Sequence, residues 1–284
     1  MTDAGALRAK FEQHKIRRVK LGVFDIDCTL RGKYVSLEKF WSALETGLGF
    51  CDVLFGWDIG DVLYDNAKVT GWHTGYPDAQ CQIDAATFRT IPWEPETAFF
   101  LLDFVGRMDL APRQVLAHVI EKAQRMKYAP MFAAEYEFFI FKETPESLRA
   151  KNYRGLTPLS PGMFGYSVLR ASENRDLVLD LFDHLAAFSA PLEGLHTETG
   201  PGVYEAAIAV EEAMVAADRA ALFKTAAKEI GARHGVMATF MAKWNAELPG
   251  SSGHLHQSLW DAEKKKNLFA DPGAGGMSEL MKQY

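Results

Sequence analysis

The sequence has few cysteines, no long apolar run and no long run of Lys or Arg, and each lack excludes a class. Its three cysteines, Cys28, Cys51 and Cys81, are odd in number and irregularly spaced. That argues against a disulfide framework and against a zinc motif, and it fits a reducing cytoplasm. No run of about 18 apolar residues is present, so no membrane-spanning helix is expected. The N-terminal segment lacks the apolar core of a signal peptide and reads as a short helix of mixed charge. The net charge is -6 and no long run of Lys or Arg occurs, which makes nucleic acid an unfavourable partner. There is no GxxxxGK[ST] loop, no GxGxxG after a strand and no HExxH. An ATP site, if the chain has one, must use a different fold.

What is there is ordinary in bulk. The 284 residues are 48% hydrophobic and 24% charged, enough for a full core in one large domain or two ordinary ones. Strand patterning runs over residues 19–27, and residues 28–34 read as a turn and the return strand of a hairpin. Ser36 is placed to cap a helix over 39–46. A loop rich in Gly and Asp follows at 55–66, then strand-like stretches at 87–93 and 99–104. Residues 109–113 read as a boundary and a fresh helix start, with the helix running over 113–126. Residues 130–141 (PMFAAEYEFFIF) form the strongest strand. Helices are expected over 174–188 and 206–234, with further strands at 192–195, 237–243 and 254–260. Residues 277–284 begin an amphipathic helix that stops after two turns, which leads to the expectation that the chain is a fragment or that its natural end lies further on.

Three segments carry candidate chemistry. Glu135 and Glu137 are two apart in the strongest strand, so both face one side. Two adjacent carboxylates on an apolar strand repel each other and call for a cation. A solvated strand face is the competing reading, and the flanking Phe132, Phe138, Phe139 and Phe141 weigh against it. In LHTETGPGVYE, residues 195–205, the Gly-Pro-Gly turn lets Glu198 and Glu205 approach each other. Taken alone, that segment reads as a loop with solvated charges. His254 and His256 alternate on one strand face, a pattern that packing also produces. Beside four glutamates, one of them becomes a candidate ligand. Mixed carboxylate and imidazole donors suit Mg²⁺ or Mn²⁺.

In chain order, IDAATFRTIPW (83–93), AEYEFFIF (134–141), GLHTETGPGVYE (194–205), TFMAKW (239–244) and SSGHLHQSLW (251–260) resemble the glutamine synthetase superfamily. The resemblance implies an α+β fold with a small N-terminal β-grasp domain over 1–107. A catalytic domain with a mainly antiparallel sheet and flanking helices would follow over 108–284. It implies an ATP-dependent ligase that joins glutamate to ammonia or an organic amine through γ-glutamyl phosphate. It implies a ring homo-oligomer, commonly a dodecamer, with active sites between subunits. By the same resemblance Glu137, Glu198 and Glu205 hold one metal. Glu135 and His254, with a glutamate further along the family's chain, hold a second. Glu193, His256 and Ser258 match positions near the nucleotide, and Gly250 matches the loop that binds the glutamate backbone. Asp58 or Asp61 corresponds to the aspartate that reaches into the next subunit and helps deprotonate ammonium. Several family arginines, a flap glutamate and the last metal ligand would lie beyond Tyr284.

The chain also departs from the family pattern. Val203 stands where Gln is common, Pro249 where Asn is common and Trp244 where Pro is usual, and GWDIGD replaces the DGSS type of loop. These departures point to a divergent member using an organic amine. An inactive homologue with a binding or structural role, or a related phosphotransferase, are the alternatives.

Overall fold

The computed structural model describes residues 4–106 and 110–284. The expected boundary at residues 107/108, with Asp109, therefore lies outside the described residues. The chain divides into two compact units, Met1–Glu121 and Lys122–Tyr284.

The first unit holds helix α1 (Ala4–Gln13), strands β1 (Arg18–Phe24) and β2 (Leu30–Ser36), helix α2 (Leu37–Thr46), and strands β3 (Leu48–Cys51), β4 (Asp78–Thr90) and β5 (Thr97–Phe104). Ser36 caps α2 as expected, accepting from the Lys39 N–H at 3.2 Å. The strands form one mixed sheet in the order β2-β1-β5-β4-β3, with β1 and β5 parallel at its centre. Seven of the eight β5 residues are buried, as a central strand covered on both faces requires. Helix α2 crosses the sheet, and Phe40 packs between Phe11 and Phe100 with ring centroids 5.1 and 4.9 Å away. A mixed sheet crossed by one main helix is compatible with the β-grasp expectation.

The β1–β2 turn is built on Asp25, which is fully buried. Its Oδ1 accepts from the N–H groups of Asp27 and Thr29 at 3.0 and 2.8 Å, and its Oδ2 accepts from Arg31 Nε at 2.8 Å. A buried carboxylate is tolerable only when paired and hydrogen-bonded in this way. Helix α3 (Pro112–Arg125) follows, with Pro112 in its first turn.

In the second unit the spine is β6 (Tyr128–Phe141). Then come helices α4 (Pro145–Ala150), α5 (Val168–Glu173) and α6 (Arg175–Ala187). Strands β7 (Leu192–Thr197), β8 (Val203–Ile208) and β9 (Glu211–Glu212) lead into helix α7 (Ala213–Arg233). Strands β10 (Met237–Thr239), β11 (Gly253–Asp261), β12 (Ala270–Asp271) and β13 (Gly276–Met277) precede helix α8 (Glu279–Gln283). One edge of β6 pairs with β11 over residues 128–136 and with β10 over 139–141. The other edge pairs with β9 and β8. Every one of these pairings is antiparallel, as is β7 with β8.

Tyr136 and Phe138 of β6 pack on Phe223 of α7 at 6.3 and 5.7 Å. Strand alternation then sets Glu135 and Glu137 on the face away from α7. Two expectations need correction. The helix expected from residue 206 begins at Ala213, because residues 203–208 pair with both β6 and β7 and residues 211–212 pair with β6. Alanines at 206, 207 and 209 suit helix and strand alike, so spacing alone misplaced the boundary. The strand expected to reach Lys243 ends at Thr239, where its β6 partner residues run out into other pairings. Among the described residues, no helix is long and apolar enough to cross a membrane.

Immediately after β6, Glu143 ties down the loop that leads to α5. It accepts from Ser147 Oγ at 2.6 Å, from Thr157 N–H at 2.8 Å and from the Lys151 ammonium. The Lys151 bond first, then Ser147 and Thr157, hold the Glu143 carboxyl down at about 2. Because that is below the ordinary 4.5, its stabilisation is complete above about 4.5 and is lost as pH falls toward 2. Glu143→Gln should therefore lower the melting temperature at neutral pH, and the gap to the native chain should close on acidification to about 2. A gap independent of pH would show that the charge contributes nothing.

Candidate functional site

The site grows from the register of four strands, β11-β6-β8-β7. Glu135 of β6 faces His254 of β11 directly across the ladder, and Glu137 faces Glu205 of β8. Glu205 in turn faces His196 of β7. Directly opposed residues share a face, so these five residues become one row of carboxylates and imidazoles.

The distances bear this out. His254 Nδ1 lies 3.5 Å from Glu135 Oε2 and 3.6 Å from Glu205 Oε1. His256 Nε2 lies 3.0 Å from Glu135 Oε2. His196 Nε2 lies 3.5 Å from Glu205 Oε2, and its Nδ1 lies 3.8 Å from Glu198 Oε2. Among the described residues, two sets of donors come close enough to hold an ion. They are Glu135–Glu205–His254 and His196–Glu198–Glu205, each with its donor atoms within 4.8 Å of one another. Glu205 belongs to both sets and is more enclosed than Glu135 or Glu198, its side chain 12% exposed against 29% and 18%. Among the described residues, Glu135, Glu198 and Glu205 form ion pairs with histidines alone. Crowded carboxylates without a lysine or arginine are the donor set a hard divalent cation fits, with imidazole as a borderline donor.

The Gly-Pro-Gly turn places Glu198. Gly202 has φ 71°, and a Cβ there would meet the Ile140 carbonyl oxygen at 2.5 Å. The turn is thereby pressed against β6, and its Gly202 carbonyl accepts from Ile140 N–H at 2.8 Å. Glu198 Oε1 accepts from Thr199 N–H at 2.7 Å, leaving Oε2 turned toward His196.

The structure distributes the other expected residues. Glu137 lies in the row, yet its carboxylate accepts from Ser252, at 3.0 Å from N–H and 2.5 Å from Oγ, and stands outside both donor sets. His256 reaches Glu135 rather than standing apart from the row. Ser258 accepts from Trp260 Nε1 at 3.0 Å and donates to the Met131 carbonyl at 3.4 Å. Glu193 is exposed at a bulge in β7. At Gly250 a Cβ would meet the Ala242 carbonyl oxygen at 2.7 Å, so the loop needs glycine there to pass. In the first unit, Asp58 Oδ1 accepts from Gly60 and Val62 N–H at 2.8 and 2.9 Å, and Asp61 pairs with Arg31 at 2.6 Å.

Three further residues join the site. His196 sits two before Glu198 on the same strand face, a spacing that was readable. Ser252 and Tyr166 were not readable, because their contacts depend on pairings between distant segments. Tyr166 stacks on His196 with ring centroids 4.2 Å apart. It is held there by its N–H bond to the Thr197 carbonyl at 2.6 Å and by Ser167 N–H to Thr197 Oγ1 at 2.9 Å.

Residues 109–284 match the family model described as the glutamine synthetase catalytic domain. The chain belongs to the glutamine synthetase family. It is 49% identical over 271 residues to Type-1 glutamine synthetase 2 of Dictyostelium discoideum, covering 94% of this chain and 52% of that one. It is 38% identical over 280 residues to glutamate–isopropylamine ligase of a Pseudomonas species, covering 96% and 61%. Its fold matches the solved structure of GmaS in complex with ADP, with a TM-score of 0.79 at 24% identity, covering 98% of this chain and 60% of that chain. The chain thus spans between about half and three fifths of the relatives it matches.

If the row is built for a cation, removing one charge relieves repulsion when no metal is bound. In chelator, Glu205→Gln should keep or raise the melting temperature, by a few degrees for each ~1 kcal/mol relieved. A clear fall would mean that Glu205 is a structural residue.

Proposed function

We propose that this chain serves an ATP-dependent ligase that forms a γ-glutamyl amide from glutamate and ammonia or an organic amine. The observation that carries the reading is the row in which Glu205 is shared by two donor sets. Membership of the glutamine synthetase family and the 38% identity to a glutamate–isopropylamine ligase support it.

In this reading Glu135, Glu205 and His254 hold one Mg²⁺ or Mn²⁺, and Glu198 and Glu205 hold the other. Glu137, now held by Ser252, would complete the second set on leaving that contact. Ions held by these residues would neutralise charge on the nucleotide phosphates and orient attacker and leaving group. The glutamate γ-carboxylate oxygen attacks the terminal phosphorus, the bond to the bridging oxygen breaks, and ADP leaves with that electron pair. The amine nitrogen then attacks the acyl carbon, loses a proton to Asp58 or Asp61 of a neighbouring subunit, and inorganic phosphate departs. Neither step needs a protein nucleophile. Glu193, His256 and Ser258 are assigned to the nucleotide side, and Gly250 to the backbone of the glutamate substrate. The assembly proposed is a ring homo-oligomer. Three cysteines with no disulfide among the described residues suit a cytoplasmic setting.

Phosphate release from ATP should require glutamate and an amine together. Glu137→Ala should reduce it by two orders of magnitude or more, on the order of the loss of a preorganised electrostatic group, and weaken Mn²⁺ binding. A chain that binds Mn²⁺ yet releases no phosphate with any amine would instead be an inactive homologue.

A further inference from the structure

Helix α7 turns its buried stripe, which includes Leu222, Phe223, Ala226, Ala227 and Ile230, toward β6 and β10. Lys224 and Lys228 stand beside that stripe, one turn apart, so their side chains leave the helix as neighbours. Both reach over the ring of Phe240, the residue after β10, with Nζ 5.9 and 6.0 Å from its centroid. Phe240 packs on Phe138 and Phe223 at 5.3 and 5.8 Å, which fixes the ring.

Two ammonium groups thus share one aromatic ring. Among the described residues, neither lysine is paired with a carboxylate. An aromatic ring attracts an ammonium but carries no net charge, so the repulsion between the two lysines stays uncompensated. The groups that act on Lys228 are Lys224 of its own helix and Phe240 from the end of β10; no carboxylate of β6 or β10 is among them. Burial first, then the charge of Lys224, push the Lys228 ammonium below its ordinary 10.5. The residue as a whole is exposed, so a reagent in solution can reach it. A lysine desolvated beside a second cation is the arrangement that supplies a neutral, nucleophilic amine.

We propose that Lys228 is a site of covalent acylation by a small acyl phosphate, with Lys224 drawing in the anionic donor. Lys228 lies on α7, away from the acidic row, and the inference is independent of the ligase reading. The neutral Nζ attacks the carbonyl carbon of the donor. A nitrogen–carbon bond forms, the bond from that carbon to the bridging oxygen breaks, and inorganic phosphate leaves with the electron pair. The surplus proton on nitrogen passes to water. The Lys224 cation attracts the donor and eases the charge on the departing phosphate, an advantage that a neutral acyl donor does not share. The amide formed carries no charge, so it also ends the repulsion along α7.

The test is the rate of acetylation at individual lysines when the purified chain is treated with acetyl phosphate, read by peptide mass spectrometry. At about pH 8, Lys228 should react about fivefold or more faster than the exposed Lys39 and Lys68. Its rate should also level off at a lower pH than theirs, because a lowered pKa fills the neutral form earlier. Lys224→Met keeps the stem and removes the charge. It should slow Lys228 about threefold or more at about pH 8, leave Lys39 unchanged, and lose its effect near pH 11, where the amines are neutral. Labelling of Lys228 at the pace of Lys39 and Lys68 would overturn the proposal, as would a rate indifferent to Lys224→Met. Should that variant fail to fold, the pH profile of the native chain decides: a plateau shared with Lys39 and Lys68 overturns the proposal, and an earlier one supports it.

Discussion

The arrangement depends on like charges held close together. Antiparallel pairing of β11, β6, β8 and β7 sets Glu135, Glu137 and Glu205 in a row with His254 and His196, all on the face turned away from α7. The opposite face of β6 is ordinary aromatic core, with Tyr136 and Phe138 on Phe223. One strand thus divides an apolar layer, which stabilises, from an acidic layer, which repels itself and whose Glu135, Glu198 and Glu205, among the described residues, form ion pairs with imidazoles alone. The price of holding such a row in a metal-free chain is repulsion, and a divalent cation removes it.

The fixtures around the row serve its geometry. The Gly-Pro-Gly turn must pass close to β6, which sets Glu198 beside His196. Ser252, at the head of β11, holds Glu137 by two hydrogen bonds. Glu143 fastens the loop that follows β6, and the segment with Tyr166 is pinned to Thr197. These contacts fix the walls of the site from both ends of the same sheet.

Much of this was readable from residue order. The length and apolarity of β6, the capping of α2 by Ser36 and the shared face of Glu135 and Glu137 follow from local periodicity. Pairing does not. Nothing in residues 253–261 states that they lie against 128–136, and that register is what brings His254 to Glu135 and His256 beside it. The roles of Ser252 and Tyr166 are hidden in residue order for the same reason, whereas the spacing of His196 to Glu198 is local and legible. The alanines before α7 misled because alanine suits helix and strand, and the ladder with β6 and β7 decided the matter. In the first unit, the loop with Asp58 and Asp61 was placed, while its tether, Arg31 bridging Asp25 and Asp61, is a tertiary contact that local pattern does not encode.

The central claim is that Glu205 joins two cation sites. Calorimetric titration of Mn²⁺ into the native chain and into the Glu135→Gln, Glu198→Gln and Glu205→Gln variants tests it most directly. The account predicts two binding events in the native chain, one weakened selectively by each of the first two substitutions and both weakened by the third, each on the order of tenfold or more. Binding that survives Glu205→Gln unchanged, or one event that all three substitutions affect alike, would contradict it.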